Sequence, residues 1–164
     1  MLSKKIQDAL NGQINAELYS SYLYLAMAAH FEAANLKGFA NWMRVQAGEE
    51  YGHAMKFYAY INDRMSRVTL KAIAAPPASW PSAQAAFREV CKHEAKVTGL
   101  INNLVDLAVA AKDHATTAML QWFVSEQVEE EASANEVLSM LGAIKESANG
   151  LFMVDHQLAK RGKS

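Results

Sequence analysis

A chain of 164 residues with 51% hydrophobic and 20% charged side chains has the composition of a folded globular protein, which excludes an intrinsically disordered one. A net charge of −1 gives no long-range hold on nucleic acid or on an anionic membrane. The single cysteine, Cys91, has no internal disulfide partner and fits a reducing compartment. No segment reaches the roughly 20 apolar residues that span a bilayer, so the expectation is a soluble cytoplasmic protein folded as a single domain over residues 1–164.

Ser3 is placed to cap a first helix that runs to about Ala33, where the turn NLKG ends it. A second helix is predicted from about Phe39 to Asp63. The three prolines, Pro76, Pro77 and Pro81, all lie in IAAPPASWPS and make the one strong break in the chain. Ser82 then opens a third helix to about Ala111, and the polar turn KDH leads to a fourth from about Thr116 to Ala143. Asn149-Gly150 is expected to separate off a short fifth helix near Met153 to Lys160. The stretch from Arg64 to Pro81 is too long for a turn and reads as a crossover between two helical hairpins. The predicted fold is therefore all-α, a four-helix bundle over about residues 3–143 with one long crossover and a short C-terminal helix.

Spacings of 3 and 4 residues mark the face each helix turns inward. The first stripe is Leu10, Ile14, Glu17, Ser21, Tyr24, Ala28, Phe31; the second is Phe39, Met43, Gln46, Glu50, His53, Phe57, Tyr60. The third is Phe87, Val90, Glu94, Val97, Ile101, Leu104, Ala108, and the fourth is Leu120, Phe123, Gln127, Glu130, Ala134, Val137, Leu141, Ile144. Every stripe is apolar at its ends and polar between them. An antiparallel bundle brings helix middles to one level, so Glu17, Glu50, His53, Glu94, Gln127 and Glu130 converge on one volume. Acids are rarely buried unless paired or bound to metal, and no lysine or arginine lies on a stripe. A cation from solution is the remaining partner, and Glu with His favours iron, manganese or zinc.

Taken singly, an interior Glu is more often ion-paired, and His53 alone would suit a satisfied core histidine. Tyr24 reads equally as packing or as a hydrogen-bond donor to a ligand. Glu49, Glu126, Glu129 and Glu131 lie off the stripes, where solvation is the ordinary fate of an acid; Cys91 reads as a small core residue, and Trp122 and Phe123 as core or subunit-contact residues. Two other functions fit the pattern less well: a di-iron or manganese enzyme acting on peroxide or an organic substrate, and a purely structural bundle whose inward acids are paired or protonated.

The segments NAELYSSYLYLAMA (Asn15 to Ala28), KGFANWMRVQAGEEYGHAMKF (Lys37 to Phe57), PPASW (Pro76 to Trp80), His93-Glu94 and LQWFVSEQVEEE (Leu120 to Glu131), in this order and spacing, resemble a prokaryotic non-haem ferritin over essentially the whole chain. The resemblance implies an iron-storage protein with an intra-subunit di-iron ferroxidase centre, using oxygen or peroxide, in a shell of 24 subunits. It matches Glu17, Glu50 and His53 to a first iron site with Glu50 bridging. Glu94, Glu130 and Gln127 match a second, and Glu49, Glu126 and Glu129, with Glu130, a third. Tyr24 matches a tyrosine that donates an electron beside the centre.

Departures from related families sharpen this. Two Glu-x-x-His motifs mark many di-metal bundles, whereas this chain has one, with Gln127-x-x-Glu130 in the place of the other. Tyr51 stands where a haem-binding relative has methionine, so no haem is expected. Leu151, Phe152, Val154 and Leu158 lack an obvious partner within the bundle and would suit a four-fold contact. Asp113 and His114 fall where family members line three-fold pores.

Overall fold

The protein is described by a computed structural model covering residues 1–145 and 147–163. Its elements are α1 (Lys4–Ala33), α2 (Lys37–Asp63), α3 (Ala83–Ala110), α4 (His114–Ile144) and α5 (Ala148–Leu158), with no strand among the described residues. No described helix is long and apolar enough to cross a membrane.

Side-chain caps fix most of the helix starts. The hydroxyls of Ser3, Ser82 and Ser147 and the carboxylate of Asp113 accept from the backbone N–H three residues on, satisfying donors that a helix start leaves free. α2 has no such cap of its own. Its first turn is capped from α5 instead: Asp155 Oδ1 accepts from Gly38 N at 2.8 Å and Phe39 N at 3.0 Å. A Cβ on Gly38 would stand 1.6 Å from the Asp155 carbonyl oxygen, so only glycine lets α5 dock this closely.

The fifth helix begins earlier than the sequence predicts. Asn149 and Gly150 are its first turn, not its boundary. The break lies at Lys145, in the left-handed region at φ 47°, followed by the Ser147 cap. Gly150 is there for space: a Cβ would come within 2.6 Å of the Ile144 Cβ. α5 also buries Val154 and Leu158 against the bundle core, leaving Phe152 and Met153 exposed. The expectation that Leu151, Val154 and Leu158 lack an obvious partner within the bundle is thus corrected; docking on α2 and α4 gives them one, and Phe152 alone of the four stays exposed.

α1 packs on α2 and α3 on α4. The crossover runs along α1: Asn11 donates to the Arg67 carbonyl at 3.0 Å and accepts from Thr69 N at 2.8 Å, and Asn15 donates to the Ala72 carbonyl at 3.1 Å. It ends where Trp80 meets His30 edge-on near the end of α1 and donates to Glu89 at 2.6 Å. α3 therefore starts at the same end of the bundle as α2, which is what a long crossover requires.

The core is divided. One apolar cluster gathers Phe31, Phe39, Trp42, Phe87, Val137 and Leu141, and the other gathers Leu10, Phe57, Ile61, Ile101, Leu120 and Phe123. Between them lies a buried polar waist. All the stripe residues named from sequence are buried except Ser21, Tyr60 and Ile144, which are half-buried. At the first, the neighbouring Ser20 is buried in its place, and the Ser21 hydroxyl donates to the Ala47 carbonyl.

Candidate metal centre

The waist is built by four helices at their middles. α1 contributes Glu17, α2 Glu50 and His53, α3 Glu94, α4 Gln127 and Glu130, and none of the six is more than 5% exposed. They fall into overlapping sets. Glu17, Glu50 and His53 offer ligand atoms within 4.8 Å of one another, and so do Glu50, Glu94 and Glu130. Glu50 belongs to both sets, so its carboxylate lies between them. A further group joins His53 and Glu130 to the half-buried Glu126, whose Oε1 lies 3.7 Å from His53 Nε2. Glu49 and Glu129 are exposed and enter no such group among the described residues.

Neighbouring amides and hydroxyls orient the carboxylates. Gln13 donates to Glu17 at 2.8 Å, and Gln46 donates to Glu50 at 2.9 Å and Glu130 at 2.6 Å. Gln127 donates to Glu94 Oε2 at 3.3 Å, and the buried Tyr24 hydroxyl donates to Glu94 Oε1. One atom is left over: among the described residues Glu17 Oε2 is the buried side-chain oxygen or nitrogen with no hydrogen-bond partner. An orphan of that kind costs free energy unless something outside the protein meets it, and a cation seated between Glu17, Glu50 and His53 would do so.

A model of the ferritin-like domain matches residues 7–144. The chain is 42% identical over 161 residues to a bacterial non-heme ferritin of Bacteroides fragilis, covering 98% of this chain and all of the relative. It is 38% identical to one of Staphylococcus aureus, covering 98% and 97%. Among solved structures it resembles an open pore ferritin of the hyperthermophilic archaeon Archaeoglobus fulgidus, with 50% identity, 98% and 99% coverage and a TM-score of 0.97. The chain belongs to the ferritin family. An engineered closed form of the same archaeal ferritin superposes with a TM-score of 0.98 at 49% identity over the whole of both chains.

The electrostatics of this ferritin's waist follow from burying four carboxylates with His53 as the one basic group among the six residues. Burial, then the neighbouring Glu50, pushes the Glu17 carboxyl well above its usual range. The same causes in the same order raise Glu94 to about 8 and Glu130 to about 7. At His53 burial opposes the charge, but the hydrogen bond to Glu50 and the charges of Glu50 and Glu17 outweigh it and raise the imidazole to about 9. Without metal the waist therefore holds protons at neutral pH. Two divalent cations would bring four positive charges to the four carboxylates Glu17, Glu50, Glu94 and Glu130 and displace those protons.

Several roles escape the sequence reading, which names Gln46 only on the second stripe and His93 only within the His93-Glu94 segment. Gln13 and Gln46 each stand four residues before a waist glutamate, a spacing that places the amide one turn from the acid and was there to be found. His93 packs edge-on against Tyr24 and shares a 2.8 Å hydrogen bond with Ser20. Arg161, past the end of α5, reaches Gln46 and Glu49; no periodicity announces it. Glu131, read as a solvated acid, is half-buried and accepts from Thr98. Asp113, expected near a pore, caps α4 and pairs with Arg64 at 3.0 Å. Tyr51 is 55% exposed.

Proposed function

We propose that this chain oxidises ferrous iron at the waist, with Glu17, Glu50 and His53 holding one ion, Glu94 and Glu130 the other, and Glu50 bridging them. The chain is an iron-storage ferritin, and oxidation is the step that turns a soluble ferrous substrate into a ferric mineral. Hard carboxylate oxygens stabilise ferric over ferrous iron. Oxygen or peroxide accepts one electron from each ion; dioxygen with two protons leaves as hydrogen peroxide, and peroxide with two protons leaves as two waters. Where a third ferrous ion gives a third electron, Tyr24, hydrogen-bonded to Glu94, supplies the fourth and loses its phenolic proton, and dioxygen with four protons then leaves as two waters. Gln127 holds Glu94 by its amide and at most binds metal weakly, which suits a site that must release its product.

On the same reading Glu126 and Glu129, with Glu49 and Glu130, hold a third iron on its way inward. The ferric product collects in the cavity of a 24-subunit homo-oligomeric shell in the cytoplasm, without haem. Exposed Phe152 and Met153 on α5 supply apolar surface for contact between copies.

The sharing of Glu50 between two three-residue sets carries this proposal: a lone structural acid needs no second set. Glu50→Ala should assemble yet slow ferrous oxidation by about 100-fold, at or beyond the loss seen on removing an outer-shell partner of a metal ligand. His53→Ala should do likewise. An unchanged initial rate in stopped-flow absorbance would sink the di-iron assignment.

A further inference from the structure

The sequence places no cation on any inward stripe, but the chain end brings one. Arg161 is fixed from several sides. Asn41 donates to its carbonyl at 3.0 Å and to that of Leu158 at 3.2 Å, and its guanidinium lies 4.2 Å over the Trp42 ring. From there Nη2 donates to Gln46 Oε1 at 2.7 Å and to Glu49 Oε2 at 2.7 Å. Gln46 in turn donates to Glu50 and Glu130. A guanidinium gripping the amide oxygen leaves only the Gln46 NH₂ to face the two carboxylates, so the arginine sets which way that amide points.

We propose that Arg161 is the built-in counter-cation of Glu49, a positioning residue that withholds this carboxylate from metal and is displaced when a third ferrous ion binds there. The proposal rests on the third-ion reading above. The guanidinium neutralises Glu49 at Oε2, and its fixed positive charge repels a cation that approaches the same carboxylate. The third ion therefore binds more weakly than the charge of Glu49 alone would allow. A weak resting place suits iron in transit, since an ion held tightly would block the path. The tether matters: Asn41 holds the backbone of Arg161, so a guanidinium displaced from Glu49 stays beside it and returns when the ion leaves.

The test is anaerobic ferrous titration of the assembled full-length protein by calorimetry, with wild type, Arg161→Gln, Arg161→Lys, Glu49→Gln and the Arg161→Gln/Glu49→Gln double variant. The Glu49 and Arg161 side chains are 44% and 20% exposed, so the pair is worth only what partly solvated pairs give, and Arg161→Gln should tighten the third ion by about three- to fivefold. The gain should shrink as salt rises from about 0.05 M to about 0.5 M, as the Debye length falls, whereas a merely structural loss would not respond to salt. Arg161→Lys, which keeps the charge, should stay near wild type. The double variant should gain less over Glu49→Gln than Arg161→Gln gains over wild type, because the part of the effect that runs through Glu49 is gone. If Glu49→Gln weakens the third ion but Arg161→Gln leaves it unchanged or weaker, the role of Arg161 is overturned and the third-ion reading stands. Loss of every binding event in Arg161→Gln would show a scaffold role and overturn it too. If Glu49→Gln changes nothing in either background, the third-ion reading itself fails, and the proposal with it.

Discussion

At either end of the bundle the facing side chains are apolar, Phe31, Phe39 and Phe87 at one and Leu10, Phe57 and Ile101 at the other. At mid-height the same four helix faces present Glu17, Glu50, His53, Glu94, Gln127 and Glu130, buried just as deeply. The ends gain free energy from every apolar surface they hide. The waist is a cost in the absence of metal: it holds carboxylates raised by burial and mutual repulsion, and one buried oxygen without a partner. The division of labour is that the ends supply the stability that offsets the cost of the waist.

Substitutions at the two regions should therefore act in opposite ways. Phe57 is fully buried and stacks on Phe123 with ring centroids 4.0 Å apart. Phe57→Ala should lower stability by about 3–5 kcal/mol, read as the denaturant midpoint of the metal-free protein. A loss below about 1 kcal/mol would mean that this end does not carry the fold.

The waist should next reveal itself through pH. Glu94 and Glu130 are raised above their unfolded value of 4.5, to about 8 and about 7, so between those limits the folded metal-free chain binds more protons than the unfolded one. Stability then falls as pH rises through that window. His53, raised from 6.5 to about 9, has the same sign: its contribution is complete below 6.5 and lost as pH climbs through about 9. Calorimetric melting with chelator present should drop by several degrees between about pH 5.5 and about pH 8.5. Ferrous binding should strengthen over the same range, because ligands must shed protons. A melting point that rises with pH would mean the acids are already neutralised by something other than protons.

The smallest stability effect belongs to Glu17→Gln. This isosteric change removes a buried carboxyl that burial and the neighbouring Glu50 raise well above its usual range, so metal-free stability should stay level or rise by up to about 1 kcal/mol. Ferrous oxidation should still fall by about tenfold or more, since even outer-shell losses cost that much. A variant that unfolds while the metal-free parent is stable would place Glu17 among the structural residues instead.

How much of this could be read in advance depended on periodicity. The helix faces were legible because Phe, Leu and Glu recur at 3 and 4 residues, and acids interrupting an apolar stripe stand out against the cost of burying charge. The fifth helix was misread because Asn149-Gly150 looks like a terminator, whereas Gly150 serves a close approach to Ile144 inside the helix. Asp155 and Arg161 were invisible for another reason. The first caps α2 from 117 positions away and the second reaches Gln46 across 115. Only the docking of α5 brings them there, and no spacing rule within one helix reports a contact between chain segments so far apart.

The central claim is that the waist is a two-metal site and not a polar layer of structural origin. Crystals soaked anaerobically with ferrous iron and measured at the iron absorption edge test it most directly. The account predicts two strong anomalous peaks at the waist of each chain, one among Glu17, Glu50 and His53 and one among Glu50, Glu94 and Glu130, with the third ion beside them weaker. Iron at surface carboxylates with no peak at the waist would contradict it.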